Sequence, residues 1–177
     1  MMLFIPLLLA KVPARKSRGL IGMGLIVLLL IPLDWNRLWV FSDNYRLWND
    51  AALLLDSDRE AGADRIFYNR GQAESAARKW DDATLDFQRA IVLSPQLGPL
   101  HYELGVAFAN KGRNQDALVQ FDTAIALKPD EANFYYAKGI TLKRLHQDEL
   151  AMHQIEKSCE LKNLMACMIV QANSNKK

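Results

Sequence analysis

The sequence of 177 residues lacks most of the side-chain patterns on which catalysis depends. It has only three histidines and two cysteines, and no glycine-rich phosphate loop, GxSxG or HExxH motif occurs. His101, His146 and His153 are scattered, without a serine, cysteine or acidic residue at catalytic spacing. No histidine lies within ligand spacing of the cysteines, so a metal site is not expected. These absences predict a protein that is not an enzyme and binds no cofactor.

The chain also lacks a strong charge of either sign. Its net charge of +2 is too small to suggest a nucleic-acid-binding protein. Aromatic residues are not interleaved with basic ones, so no nucleic-acid partner is expected. The charge is unevenly distributed, because residues 1–41 hold five basic residues and one acidic residue, whereas residues 42–177 hold 17 basic and 19 acidic residues.

One long run near the amino terminus has no charge at all. Residues 19–33 would span about 22 Å as a helix, which is short of the roughly 30 Å hydrocarbon core of a bilayer. The next residues can extend the span, because aromatic side chains suit the interface and an arginine can snorkel. We therefore predict a transmembrane anchor at 19–41 that contacts the lipid bilayer; a cleaved signal peptide or a buried core helix are the alternatives. Its interfacial residues are predicted to be Trp35, Arg37, Trp39 and Phe41.

The residues that flank this span predict its orientation. Four basic residues precede it between positions 11 and 18, whereas Asp34 and Arg37 cancel after it. The positive-inside rule then places the basic flank, residues 11–18 of the segment 1–18, and the amino terminus on the cytoplasmic side. The short apolar stretch before the flank could lie in the membrane interface, pack on a partner or be the tail of an earlier span. The predicted location is the bacterial inner membrane, with everything after about residue 42 in the periplasm.

The most informative pattern is a period of 34 residues. Gly71, Gly105 and Gly139 are 34 positions apart, and each unit reads as two helices. Stacked repeats make extended binding surfaces rather than catalytic pockets. The large residues Phe87, Phe121 and Ile155, which form one of the series given next, are expected to fill the space between successive helical hairpins. Four further series keep the same period: Ala83, Ala117 and Ala151; Phe87, Phe121 and Ile155; Ala90, Ala124 and Ser158; and Pro95, Pro129 and Asn163.

This pattern resembles the tetratricopeptide repeat (TPR) family over residues 64–163. The resemblance implies an all-α solenoid of three helical hairpins, at 64–97, 98–131 and 132–163, behind the amino-terminal transmembrane helix. The first repeat departs from the family at Arg70, and the third is the weakest match. Residues 42–63 are expected to form a linker and capping helix, with an apolar stripe that includes Leu54 and Leu55. Residues 164–177 are expected to form a second capping helix and a frayed tail.

The resemblance also implies a binding groove, because the first helices of such repeats line a concave surface. Tyr68, Tyr102 and Tyr136 recur there at the 34-residue period. They would either grip a peptide or serve in packing. The other side chains expected on this face are polar and weakly basic: Arg65, Asn69, Gln72, Glu103, Asn110, Asn133, Lys143 and Arg144. The expected ligand is therefore a protein.

Cys159 and Cys167 are the only cysteines and lie eight positions apart. If the chain turns at Asn163, the two would face each other from antiparallel helices. The segment is similar to Sel1-like repeats, and this similarity implies a disulfide across the hairpin. A disulfide would fit an oxidising compartment. The alternative is a pair of small buried residues.

These features predict a membrane-anchored scaffold that mediates protein–protein interaction, as an accessory or assembly subunit of an inner-membrane or periplasmic complex. Two alternatives remain open. The order of span, residues 42–58 and repeats resembles the end of certain bacterial membrane glycosyltransferases, which suggests an accessory part of a glycosyltransferase or oligosaccharide polymerase. The second alternative is a periplasmic assembly chaperone for cytochrome or respiratory complexes.

Overall fold

A computed structural model describes residues 44–57 and 60–175, which form eight α-helices. The transmembrane anchor predicted at 19–41, with its interfacial residues Trp35, Arg37, Trp39 and Phe41, lies outside these residues. Within the described ranges, no helix is both long enough and apolar enough to cross a bilayer. The helices are α1 (Asn44–Leu53), α2 (Ala63–Ala76), α3 (Trp80–Leu93), α4 (Gly98–Asn110), α5 (Asn114–Leu127), α6 (Ala132–Arg144), α7 (Asp148–Glu160) and α8 (Leu164–Ser174).

The helices pack in chain order as a stack of hairpins. The hairpins α2–α3, α4–α5 and α6–α7 each contain one 34-residue repeat, and the second helix of each packs on the first helix of the next. Helix α1 packs on α2 at one end, and α8 packs on α7 at the other. The prediction of an all-α solenoid of helical hairpins is confirmed.

Close approach of the two helices explains the repeated glycine. A Cβ atom on this glycine would overlap the large side chain that the second helix of the same hairpin places against it. The prediction that these large residues fill the space between successive hairpins was therefore incomplete, because each also packs inside its own hairpin. The Cβ atom would lie 2.8 Å from Phe87 at Gly71, 2.6 Å from Phe121 at Gly105 and 2.8 Å from Ile155 at Gly139.

The turn inside each hairpin needs one residue with a left-handed backbone. The three positions again follow the 34-residue period, with φ values of 59° at Arg78, 77° at Gly112 and 59° at His146. Only the second hairpin has a glycine at this position. Arginine and histidine carry a Cβ atom that opposes this conformation, so the first and third turns are strained.

The first cap differs from its prediction. Helix α1 ends at Leu53, so Leu54 lies beyond the helix and is 82% exposed instead of completing the apolar stripe. Leu55 does reach the core and packs near Phe67 and Leu100. No residue of α1 is fully buried.

The second cap is attached at its beginning. Cys159 of α7 and Cys167 of α8 are joined by a disulfide. Between them, the Asn163 side chain accepts a hydrogen bond from the Ala166 backbone N–H at 3.0 Å and donates one to Asn133 at 2.9 Å. Ala166 is the one fully buried residue of α8. The cap therefore depends on its first turn and on the disulfide.

Candidate functional site

Helices α2, α4 and α6, the first helices of the three hairpins, lie side by side and contact one another in sequence. We call the surface that carries Tyr68, Tyr102 and Tyr136 on these helices the groove face. Two depressions open on this face, one between α2 and α4 and the other between α4 and α6.

The first depression, here called the first socket, lies at the amino-terminal ends of α2 and α4. It has a volume of about 260 Å³. Its wall is mostly apolar, with Tyr68 on one side and Leu97, Pro99 and Leu100 on the other. Asp64 and Arg65 complete the rim.

The second depression, here called the second socket, lies further along α4 and α6 and has a volume of about 180 Å³. Apolar side chains form most of its wall, and Asn110, Thr141 and Arg144 add polar groups. Arg144 donates a hydrogen bond to the Ala109 carbonyl oxygen at 3.0 Å, which holds the guanidinium beside the socket. The lining residues are Tyr102, Val106, Ala109, Asn110, Phe121, Tyr136, Ala137, Ile140, Thr141 and Arg144.

Between α2 and α4, the position equivalent to the second socket is filled by a hydrogen-bonded bridge of polar side chains. The Gln72 amide donates to the Tyr68 hydroxyl at 3.0 Å and to the Glu103 carboxylate at 3.2 Å. One repeat later, Val106 stands in the place of Gln72 and Ala137 in the place of Glu103. The smaller, apolar pair cannot form this bridge, so the socket between α4 and α6 is open.

Between α4 and α6, the position equivalent to the first socket is filled by two stacked aromatic rings. Tyr102 and Phe134 lie with ring centroids 4.9 Å apart and an interplanar angle of 24°. In the first repeat interface, Tyr68 faces Leu100 in the equivalent positions, and the smaller aliphatic side chain leaves the socket open. The two sockets therefore lie at different heights on the groove face.

The repeated tyrosines contribute both to packing and to the groove face. Tyr68 lies 6.2 Å from Phe87 between ring centroids, and Tyr102 lies 6.0 Å from Phe121. Burial, and secondly the charge of Glu103, raise the pKa of both tyrosines. Burial also raises the pKa of Glu103 itself. Both hydroxyls therefore stay protonated at neutral pH and remain able to donate hydrogen bonds.

The other predicted groove residues are distributed unevenly. Arg65 borders the first socket, whereas Asn110 and Arg144 border the second. Asn133 is bonded to Asn163 near the second cap and lines neither socket. Two further predicted residues, Asn69 and Lys143, lie on first helices without lining either socket.

Sequence reasoning missed the apolar walls of both sockets. It selected polar residues, whereas Leu97, Pro99, Val106 and Ile140 form much of the lining. The 34-residue period could have identified part of this lining, because Val106 and Ile140 occupy the same repeat position as the predicted groove residue Gln72. His101, one of the three scattered histidines, is buried and bonded to Gln120 and to the Pro95 carbonyl.

A largely buried cluster of charged side chains lies between α2 and α3 in the first hairpin, close enough to Tyr45 of α1 for an electrostatic interaction. Arg70 contacts both carboxylate oxygens of Asp86, at 2.5 and 2.7 Å, and Arg89 approaches the same carboxylate at 3.5 Å. Glu74 is only 5% exposed, and among the described residues its Oε2 atom has no hydrogen-bond partner. Burial, and secondly the charge of Asp86, raise the pKa of Glu74 to about 7.

Metal binding finds no support in the part of the chain that the structure describes. No group of three or more histidine, cysteine, aspartate or glutamate side chains there could hold a metal ion. The groove face offers apolar depressions, hydroxyls, amides and the guanidinium groups of Arg65 and Arg144. Such a surface can bind side chains and backbone groups of another polypeptide.

Comparison with known proteins agrees with this geometry. Residues 107–145 match the family model described as TPR repeat. The match covers less than half of the chain, and together with the fold it makes this chain similar to tetratricopeptide repeat proteins, which are built from stacked helical repeats. No curated protein matches the sequence.

Three solved structures illustrate the shared fold. The crystal structure of MamA aligns at 19% identity with a TM-score of 0.60, over 67% of this chain and 66% of MamA, slightly less than two thirds of that protein. The first TPR domain of Spaghetti (RPAP3), bound to the HSP90 peptide SRMEEVD, aligns at 19% identity and a TM-score of 0.60, over 69% of this chain and 95% of that one. YrrB, described as a TPR protein with an unusual peptide-binding site, aligns at 23% identity and a TM-score of 0.58, over 62% and 57%.

Proposed function

We propose that this protein is a membrane-anchored scaffold that binds another protein through the groove face and serves as an accessory or assembly subunit of an inner-membrane or periplasmic complex. The observation that carries the proposal is the pair of apolar sockets between successive first helices. An apolar depression gains binding energy when a partner side chain displaces its water. The RPAP3 domain and YrrB, which share the fold, bind or are described as binding peptides.

The proposed location has separate support. The uncharged run at 19–33 and its basic flank favour an anchor with the repeats outside the cytoplasm. The disulfide between Cys159 and Cys167 fits an oxidising compartment such as the periplasm.

Site-specific photo-crosslinking in intact membranes tests the binding surface. A photoreactive phenylalanine analogue at Tyr136 lies beside the second socket, whereas the same analogue at Val119 lies on the second helix α5, where the side chain is 60% exposed. We expect one abundant protein to crosslink from position 136 and not from position 119. Crosslinking to the same proteins from both positions, or from 119 alone, would overturn the use of the groove face.

Protease accessibility tests the location. The repeats should be digested in spheroplasts but protected in intact cells, because only the periplasm is opened by removing the outer membrane. Protection of the repeats in spheroplasts until the inner membrane is lysed would contradict a periplasmic domain.

A further inference from the structure

We infer that the two sockets bind one extended peptide segment, which places an apolar side chain in each socket and a carboxylate beside Arg144. This inference rests on the proposed function and specifies its partner. The segment would cross the groove face diagonally, from the start of α2 to the end of α6.

The positions of the sockets on α4 determine the path. Only α4 lines both sockets, and it does so with Pro99 and Leu100 for the first and with residues from Tyr102 to Asn110 for the second. At 1.5 Å per residue, the two depressions are offset by about 10 Å along the helix. Adjacent packed helices lie about 9 Å apart, so the sockets are separated by roughly 13 Å. An extended chain covers that distance in about four residues.

The structure disfavours a path straight across the helices. At the height of the second socket, the Gln72–Glu103 bridge fills the interval between α2 and α4. At the height of the first socket, the Tyr102–Phe134 stack fills the interval between α4 and α6. A peptide that followed one height would therefore meet only one of the two sockets, whereas the diagonal path meets both.

Charge complementarity specifies the third feature of the peptide. Arg144 lies at the rim of the second socket, whose lining residues in the described part of the chain include no acidic side chain, whereas Arg65 at the first socket is accompanied by Asp64. A guanidinium beside an apolar socket is suited to a carboxylate on the ligand. Between the sockets, the Glu103 carboxylate disfavours an acidic residue on the peptide. The expected order is apolar residue, about three residues without negative charge, apolar residue, carboxylate.

Two substitutions test the second socket, and each introduces the residue that the chain has at the equivalent position one repeat earlier. V106Q places in the second socket the glutamine that stands at the equivalent position 72 of the first repeat, and A137E places there the glutamate that stands at the equivalent position 103 of the second repeat. Both should fill the depression without altering the first socket. V119E, on an exposed position of α5, is the matched control. Circular dichroism verifies that each variant remains helical, and V106Q provides the test if A137E does not fold.

The probe is a displayed library of random 12-residue peptides, selected on the purified full chain. We expect enriched peptides with two apolar residues about four positions apart and an acidic residue after the second. V106Q and A137E should weaken binding of a selected synthetic peptide at least tenfold, whereas V119E should leave it unchanged. R144Q should weaken the acidic peptide but not its copy with the acid replaced by the amide.

The outcomes separate the inference from the proposed function. Selected peptides that compete for the groove face but lack the apolar pair would overturn the inference and leave the scaffold function intact. Failure to select any peptide, or equal binding to all variants, would overturn both. Amidation of the peptide's carboxyl terminus identifies the carboxylate: a loss of binding assigns it to the chain end, and unchanged binding assigns it to an acidic side chain.

Discussion

The two ends of the hairpin stack are covered in different ways. At the amino-terminal end, α1 packs on a hairpin whose interior holds Arg70, Glu74 and Asp86. At the carboxyl-terminal end, α8 has a single fully buried residue and is joined to α7 by the Cys159–Cys167 disulfide. The first end therefore depends on charge and the second on a covalent bond, which makes one sensitive to pH and the other to reduction.

The second repeat has apolar residues at the positions where the first repeat has charged ones. Leu104 and Phe108 occupy the positions of Arg70 and Glu74 one repeat later, and both are buried in the main core. An inner repeat is flanked on both sides by apolar helices, so apolar side chains are favoured there. Tyr45 of α1 instead lies near Arg70 and places its ring 4.2 Å from the Lys79 ammonium.

Removal of the Asp86 carboxylate should have the largest effect. Asp86→Ala leaves Arg70 buried without its bidentate partner, which should cost about 3–5 kcal/mol of unfolding free energy. The Lys138–Asp122 pair provides the control, since Asp122 is 59% exposed and its loss should cost less than about 1 kcal/mol. Urea unfolding of the purified full chain measures both. Equal losses in the two variants would show that the first end does not depend on its charged cluster.

Glu74 should make the stability of the first end depend on pH. Its pKa is about 7 in the folded chain, against an ordinary value of 4.5 for this side chain, so the folded chain binds more protons between these values. Stability should therefore fall as pH rises from about 4.5 to 7 and change little further above that range, by at most about 3 kcal/mol. Glu74→Gln cannot titrate and should remove this component. The difference between wild type and Glu74→Gln, measured by urea unfolding across pH 4.5–8, isolates it, and a constant difference would contradict the assignment.

Loss of the disulfide should affect the other end. Cys159→Ser with Cys167→Ser removes a short covalent loop, which should cost roughly 2–3 kcal/mol. Hydrogen exchange should become faster in α8 and remain unchanged in α1, because the two caps are independent. Chemical reduction of the wild type should reproduce the pattern. Unaltered exchange in α8 after reduction would mean that Asn163 and Ala166 suffice to hold this helix.

The repeat period was enough to predict the hairpins, because small and large residues at fixed spacing define how two helices approach. It was less informative about the site. Gln72 and Val106 share one repeat position, yet Gln72 closes its interval by reaching Glu103, whereas Val106 leaves an open socket. Such differences depend on which side chains meet between successive helices. The prediction that Leu54 belongs to the apolar stripe of the capping helix failed for another reason. The helical spacing of apolar residues continues in the sequence past Leu53, where α1 ends.

The smallest expected effect concerns the turns inside the hairpins and not the two ends of the stack. Arg78 holds a left-handed backbone with φ of 59°, whereas the second hairpin has Gly112 at φ of 77°. Arg78→Gly should therefore stabilise the chain by about 1 kcal/mol, because it removes the Cβ strain. Gly112→Ala should cost a similar amount, since a Cβ atom there meets no other group and acts only through the backbone. Thermal unfolding of the two variants measures both. A loss of stability in Arg78→Gly would show that the arginine side chain contributes more than its backbone strain removes.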